Sequence, residues 1–240
     1  MEELFRLNKY LSDSGVCSRR AADAAIEAGD VTVNGEPAIM GMKVSASDEV
    51  LFKGKPVSNV GKKQVLFAYN KPAGIVCTAE KREKNNIIDH LNYPERIYPI
   101  GRLDKDSTGL LLLTNQGDLV NKIMRAVNAH EKEYVVTVDK EITADFIKKM
   151  GAGVYLEELD VTTRKCQIKK LSPNKFSIIL TQGLNRQIRR MCQALGYRVR
   201  TLKRVRIMNI ELGDLKEDTY RDVTTHELKQ LNKMLEGSRN

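Results

Sequence analysis

Residues 98–115 read YPIGRLDKDSTGLLLLTN and decide the fold of the larger part of the chain. The segment places two carboxylates, Asp104 and Asp106, two basic residues and two glycines directly before four consecutive leucines. A short apolar run bounded by turn-forming residues is typical of a buried strand. Because catalytic groups commonly lie on loops that a rigid strand positions, the segment predicts a strand with a candidate site at its start.

Short apolar runs recur on both sides of this segment. They predict strands at 65–69, 109–113, 134–138, 176–181 and 197–210. Patterns with helical period predict helices at 86–91, 118–125, 144–150 and 186–195. Strands outnumber helices, and no regular crossover helix separates them. This order predicts an α+β fold with a mixed, mainly antiparallel sheet and flanking helices.

The first sixty residues predict a separate small domain. One short helix ends at Gly15, and a second, at 19–28, has Ser18 as its N-cap and Gly29 just past its end. A strand then runs into the Asn34-Gly35 turn, and a further strand follows at 49–52. A Gly-, Pro- and Lys-containing linker at 53–64 comes next. We therefore predict two domains, 1–60 and 61–240.

Length and composition exclude several classes of protein. The 240 residues, 41 % hydrophobic and 30 % charged, contain no apolar run near the ~20 residues that cross a bilayer. The N-terminus lacks the pattern of a secretory signal, so we expect a cytoplasmic protein. The four cysteines and three histidines have no metal-ligand spacing, and no dinucleotide, P-loop or zincin motif occurs. We expect no disulfide, metal or cofactor and no membrane partner.

The basic residues are concentrated in one part of the chain. The formal net charge is +9, and residues 161–206 contain 13 Lys and Arg but no Asp or Glu. Such a concentrated positive field predicts a polyanionic partner, although a solvated basic face without a ligand is the alternative. The charges alternate with strand-like and helix-like apolar positions, which favours nucleic acid over a membrane surface.

The N-terminal stretch RLNKYLSDSGVCSRRAADAAIEAGDVTVNG, at 6–35, resembles the small RNA-binding domain named after ribosomal protein S-four. The resemblance implies that five polar side chains face phosphate and sugar: Lys9, Ser18, Arg19, Arg20 and Asn34. Without it, two adjacent arginines at a helix start are more simply surface charge.

Four separated motifs carry a second resemblance. They are YNKPAG at 69–74, GRLDKDSTGL at 101–110, KEYVV at 132–136 and GLNRQIRRMC at 183–192. In this order they resemble the pseudouridine synthases of the RsuA type, closest to the RluF branch, which acts on large-subunit ribosomal RNA. With the N-terminal stretch, the resemblance covers residues 6–224.

The resemblance implies a catalytic role for three residues: Asp104 as nucleophile, Tyr134 stacking on the base, and Arg189 paired with the aspartate. Turning uridine into pseudouridine exchanges the N1–C1′ bond for a C5–C1′ bond, so a carboxylate suffices without cofactor or metal. Attack on C1′ and deprotonation at C2′ both remain open. The tyrosine hydroxyl is a candidate acceptor for the C5 proton.

The residues alone leave these roles open. Asp104 and Asp106 could both be structural, and an aromatic residue in an alternating strand such as Tyr134 is more often packed in the core. Helical spacing would let Arg186 or Arg190 face the aspartate as well as Arg189.

We further expect Lys71, Arg102, Arg186 and Arg190 to contact RNA. The target nucleotide must be unstacked, which costs least in a loop, so the predicted substrate is a ribosomal RNA stem-loop bound by a monomer. Transfer RNA is the alternative substrate. A non-catalytic RNA-binding assembly factor and a metal-dependent nuclease are the competing functions.

Overall fold

The structure is a computed structural model of the chain, and it describes residues 4–58 and 63–238. The chain divides into two compact units. The first extends to Val65 and includes Pro94–Arg96 and Asn115–Gly117, and the second contains the remaining residues. Within the described ranges, no helix has the length and apolar character to span a membrane.

The first unit packs two helices with short strands. Its elements are β1 (Phe5–Arg6), α1 (Leu7–Asp13), α2 (Arg19–Glu27), β2 (Val31–Val33), β3 (Glu36–Pro37), β4 (Lys43–Val44), β5 (Val50–Phe52) and β6 (Lys55–Val57). An antiparallel sheet has the order β3-β2-β5-β6, and β1 pairs with β4. Leu7, Leu11 and Ala22 pack with sheet residues such as Val31 to form its core.

The second unit contains eleven strands and five helices in its described residues. These are β7 (Leu66–Lys71), α3 (Ile87–Leu91), β8 (Tyr98–Ile100), β9 (Thr108–Thr114), α4 (Gly117–Met124), β10 (Lys132–Val138), α5 (Ala144–Ala152), β11 (Tyr155–Leu156), β12 (Val161–Thr162), β13 (Gln167–Ser172), β14 (Lys175–Leu180), α6 (Gln187–Ala194), β15 (Val199–Ile207), β16 (Ile210–Glu211), β17 (Tyr220–Asp222) and α7 (Thr225–Leu235).

A nine-stranded mixed sheet organises this unit. Seven strands follow the order β13-β14-β10-β15-β9-β7-β17, while β16 pairs with β15 and β8 with β9. Every pair is antiparallel except β15 with β9. The predicted α+β class with a mixed, mainly antiparallel sheet is therefore confirmed.

Two hydrophobic clusters hold the helices on the sheet. Phe146 of α5 and Met191 of α6 pack with Val136 of β10 in one cluster. Ile123 of α4 and Leu231 of α7 pack with strands β7 and β9 in the other. The central strand β15 contributes to both clusters, so a polar side chain placed on it lies close to the middle of the unit.

The predicted strands and helices of the second unit are all present, with ends shifted by a few residues. The largest difference is at 197–210, where the structure has β15 and then the short strand β16. The predicted boundary between residues 60 and 61 falls outside the described residues and stays a prediction.

Candidate active site

A cavity of about 390 Å³ opens in the second unit where four segments meet. Its walls come from the loop before β9, from β10 and β15, and from the segment that leads into α6. The three predicted catalytic residues, Asp104, Tyr134 and Arg189, all line it. They come from sequence segments up to 85 positions apart, so the fold alone brings them together.

Asp104 lies in the loop that precedes β9. The backbone N–H of Ser107 donates to the carbonyl oxygen of Asp104 at 3.0 Å, which closes the turn. The carboxylate is 31 % exposed. Of the residues that line the cavity, Asp104 is the one with a carboxylate, whereas Asp106 is exposed and does not line it.

Two arginines face this carboxylate. Arg189 Nε and Arg186 Nη1 each lie 3.8 Å from Asp104 Oδ2. Arg189 is the more buried, at 16 % exposure against 44 %, and its Nη2 donates to Ser107 Oγ at 3.4 Å. Arg189 Nε has no hydrogen-bond partner among the described residues. The pair therefore holds the carboxylate in a positive environment.

The position of Arg186 explains why two arginines reach the same carboxylate. α6 begins at Gln187, and Arg186 precedes it with a left-handed φ of 50°. The backbone reversal at Arg186 aims its side chain toward the loop of Asp104 from outside the helix. Helical spacing from residue 186, on which the sequence interpretation relied, therefore does not apply to Arg186.

Tyr134 stands in the middle of β10. It is paired with Ile178 of β14 and with Arg204 of β15, and it is half-buried. The ring of Tyr134 lines the cavity, and an aromatic ring in this position can stack on a planar base.

Two buried cations, Lys132 and Arg204, complete the cavity. Lys132 is 5 % exposed and Arg204 is 1 % exposed, and both line the cavity. Arg204 Nε donates to the carbonyl of Leu110 at 2.7 Å, and its Nη1 lies 3.5 Å from the carbonyl of Arg102. Arg204 thereby braces the backbone on both sides of the Asp104 loop.

Burial and charge both act on Lys132. Its Nζ donates to the carbonyl of His130 at 2.9 Å. Burial, together with the charge of Arg204, lowers the pKa of Lys132 to about 8. With Arg102, Arg186 and Arg189, the cavity has five cationic side chains and one carboxylate among its lining residues. Such a cavity suits a substrate that brings or develops negative charge.

The prediction that Lys71 binds RNA is wrong. Lys71 is fully buried, and its ammonium donates to the carbonyls of Pro72, Lys105 and Ser107 at 2.7, 3.3 and 2.8 Å. Burial lowers the pKa of Lys71. The side chain cannot reach a phosphate, and it instead fixes the backbone of the loop that contains Asp104.

Comparisons with known proteins identify this arrangement. A family model described as RNA pseudouridylate synthase matches residues 65–194, and one described as S4 domain matches residues 5–50. The chain belongs to the RNA pseudouridylate synthase family. It is thus an enzyme that isomerises uridine in RNA, and its first unit contains an S4 domain.

Similar proteins agree with this assignment. The synthase is 55 % identical to the dual-specificity RNA pseudouridine synthase RluF of Salmonella typhi over 97 % of this chain and 80 % of that protein. It is 36 % identical to the ribosomal large subunit pseudouridine synthase B of Bacillus subtilis over 98 % of both chains. A crystal structure of a pseudouridylate synthase matches 95 % of this chain and 99 % of its own, with 28 % identity and a TM-score of 0.70.

The other RNA contacts expected in the synthase unit have different surroundings. Arg102 and Arg186 are exposed and line the cavity, as an RNA contact requires. Arg190 does not line it. Its guanidinium forms an ion pair with Glu158 and donates to the backbone carbonyl of Asn185 at 3.1 Å. Its guanidinium is therefore already paired outside the cavity, and contact of Arg190 with RNA stays a prediction.

The S4 unit places its expected RNA contacts unequally. Arg19 and Arg20 are exposed at the start of α2, where Ser18 Oγ caps the helix by accepting from the N–H of Ala21 at 3.0 Å. Lys9 forms an ion pair with Asp13 at 2.7 Å. Asn34 lies in its turn with a φ of 51° and bonds Asp48 and the N–H of Glu49. The side chains of Ser18, Lys9 and Asn34 therefore already have structural roles.

Proposed function

We propose that this synthase converts a uridine in a stem-loop of large-subunit ribosomal RNA to pseudouridine, with Asp104 as the reacting carboxylate. Asp106 Oδ2 also lies near Arg186 Nη1, at 3.9 Å, but Asp106 does not line the cavity. The observation that supports the proposal best is the position of Asp104. It is the one acid that lines a cavity with five cations, and Arg189 and Arg186 flank it. Nucleophilic attack on C1′ and proton abstraction at C2′ both need a carboxylate at this place.

The remaining lining residues fit the other steps. Tyr134 stacks on the uracil after the nucleotide leaves its helix, and its hydroxyl accepts the C5 proton. Arg102 and Arg186 bind the phosphates on either side of the flipped nucleotide. Arg19 and Arg20 of the S4 unit, which are exposed, bind the RNA backbone.

The chemistry needs no added cofactor. The N1–C1′ and C5–C1′ bonds are exchanged within one nucleotide, and neither electrons nor atoms other than protons enter or leave. The proposal includes action as a monomer in the cytoplasm. The ribosomal target is supported by the similarity to the Bacillus subtilis relative, which is a ribosomal large subunit pseudouridine synthase. The Salmonella typhi relative is described as dual-specificity, which makes transfer RNA a second substrate to test.

The experiment is tritium release from RNA labelled at uracil C5, in EDTA and without nucleotide. Wild-type protein is compared with Asp104→Asn and, as a matched control, Asp106→Asn, on ribosomal and transfer RNA. Release by wild type and Asp106→Asn but not by Asp104→Asn supports the proposal. Full release by Asp104→Asn contradicts the role of Asp104. Release from transfer RNA alone contradicts the ribosomal target.

A further inference from the structure

Lys132 and Arg204 form a buried cationic floor in the cavity that the roles above do not use. On β10, Lys132 and Tyr134 are two residues apart and therefore lie on the same face of the strand, roughly 7 Å apart. Arg204 is the register partner of Tyr134 on β15. Both cations line the same cavity as Asp104.

The floor has unused hydrogen-bond donors. Among the described residues, Lys132 Nζ has one bonded acceptor, the carbonyl of His130. Arg204 Nη2 is buried and has no hydrogen-bond partner among them. A buried donor without an acceptor is costly, and two buried cations without a bonded carboxylate are more so. The burial of Lys132 and Arg204 at this place implies that an anion or a strong acceptor occupies the cavity during the reaction.

The reaction itself produces such an anion. When the N1–C1′ bond breaks, its electron pair stays on the uracil, and the negative charge spreads over N1, O2 and O4. If Asp104 attacks C1′, the sugar is held as an ester. If Asp104 instead takes the C2′ proton, the sugar becomes a C1′=C2′ glycal. Both routes release the same uracil anion, which must stay in the cavity while it turns to present C5 to C1′.

The following inference rests on the proposed function. We propose that Lys132, supported by Arg204, stabilises the oxygens of the detached uracil anion while the base rotates above the ring of Tyr134. C5 then bonds to C1′ while the C1′–O ester bond breaks and its electron pair returns to the Asp104 carboxylate; on the glycal route C2′ regains its proton instead. C5 then loses its proton, and N1 gains one. Preorganised cations at the place where charge develops lower the barrier more than they strengthen substrate binding.

This role predicts a defect in rate rather than in affinity. Lys132→Met keeps the length of the side chain and removes its charge. We expect the single-turnover rate of tritium release to fall about 100-fold, as for the loss of one oxyanion donor, while the Kd for RNA changes less than about threefold. Lys149→Met, at an exposed lysine paired with Asp145 on α5, is the matched control and keeps the wild-type rate.

A leaving-group test separates charge stabilisation from simple positioning. The uracil of 5-fluorouridine is a better leaving group because fluorine stabilises its anion, and its C5 carries no proton to lose after the C5–C1′ bond forms. Digestion of the RNA and chromatography of the nucleosides measure the loss of the N-linked nucleoside. We expect the defect of Lys132→Met to shrink at least tenfold on this substrate. An equal defect on both substrates would assign Lys132 a positioning role and overturn the proposal.

The pH profile gives an independent readout. The charged and titratable residues that line the cavity with Lys132 are Asp104, Arg102, Arg186, Arg189, Arg204 and Tyr134, and the backbone carbonyl of His130 accepts from its Nζ. With the pKa of Lys132 at about 8, the wild-type rate falls as pH rises past 8, because the ammonium is lost. Lys132→Arg keeps its charge, so its fall moves to higher pH. Superimposed profiles would contradict the proposal even if Lys132→Met were unstable.

The outcomes also separate this inference from the proposed function. An inactive wild type, or full activity of Asp104→Asn, would contradict the proposed function. If the wild type is active and depends on Asp104, but Lys132→Met has the same kinetics as wild type, the result would contradict this inference alone.

Discussion

The backbone of Gly109 lies directly against the backbone of Arg204, its register partner in the parallel pair of β9 and β15. A β-carbon built on Gly109 would overlap the carbonyl oxygen of Arg204, and the φ of Gly109 is +98°. Only glycine accommodates both conditions. This contact joins the start of β9, directly after the loop of Asp104, to strand β15, which carries the buried Arg204.

Gly109→Ala is expected to destabilise the second unit by roughly 2–4 kcal/mol, because the added methyl group meets backbone that cannot rotate away. Urea unfolding measures the change. Gly74→Ala is the control: its φ is +91°, but no atom lies within 4 Å of the added β-carbon. If the two variants lose equal stability, the backbone contact with Arg204 contributes nothing beyond the strain in φ.

The two arginines near Asp104 are expected to differ in kinetic effect. Arg189→Lys loses the bond to Ser107 and the approach to Asp104, so kcat should fall about 100-fold with little change in KM. Arg186→Ala removes a half-exposed side chain, so its main effect should be a higher KM. Steady-state tritium release measures both constants. A larger loss of kcat in Arg186→Ala would reverse the assignment.

The sequence predicted the elements around the site better than the burial of their charged residues. The leucines after Gly109 form a continuous apolar run and β10 has an alternating pattern, and both strands are present. A sequence shows that Lys71, Lys132 and Arg204 are charged but not that they are buried, since burial depends on strands that are distant in sequence. The sequence therefore wrongly predicts that Lys71 binds RNA, and it gives no sign that Lys132 is buried in the site.

Local partners explain the other differences. β13, with the sequence QIKKLS, is an edge strand with mostly exposed residues, so it lacks the apolar signal of a central strand. Arg190 is paired with Glu158, which lies in a short helical turn more than thirty residues earlier. No spacing rule within α6 could have predicted that ion pair. α7 was also missed, although Thr224 and Glu227 form a capping box at its start.

The exposed arginines of the S4 unit are expected to act on affinity alone. Replacing Arg19 and Arg20 together by Ala should weaken RNA binding and reduce the slope of log K against log salt by about 1.4–1.8, as for two lost phosphate contacts. The rate at saturating RNA should stay unchanged. Lys43→Ala, at an exposed position of β4, controls for general charge. Binding titrations at several salt concentrations measure the slope. An unchanged slope would contradict phosphate contacts by this pair.

The ion pair between Arg221 and Glu227 is expected to make the stability of the second unit depend on acid pH. Both guanidinium Nη atoms donate to the carboxylate at 2.8 Å, which joins β17 to α7. The Arg221 guanidinium lowers the pKa of Glu227 to about 2, whereas an unfolded glutamate titrates near ~4.3. A lowered folded pKa stabilises the folded state above the unfolded pKa, and the stabilisation is lost as the pH falls from about 4.3 to 2.

Glu227→Gln should therefore be less stable than wild type at pH 7, and the difference should shrink as the pH falls through that window. Thermal unfolding at pH 7, 5, 4 and 3 follows the change in Tm. Glu236→Gln, at an exposed residue directly after the same helix, should run parallel to wild type. A constant difference in Tm between Glu227→Gln and wild type across this range would mean that Glu227 stabilises the unit through hydrogen bonds alone, without its charge.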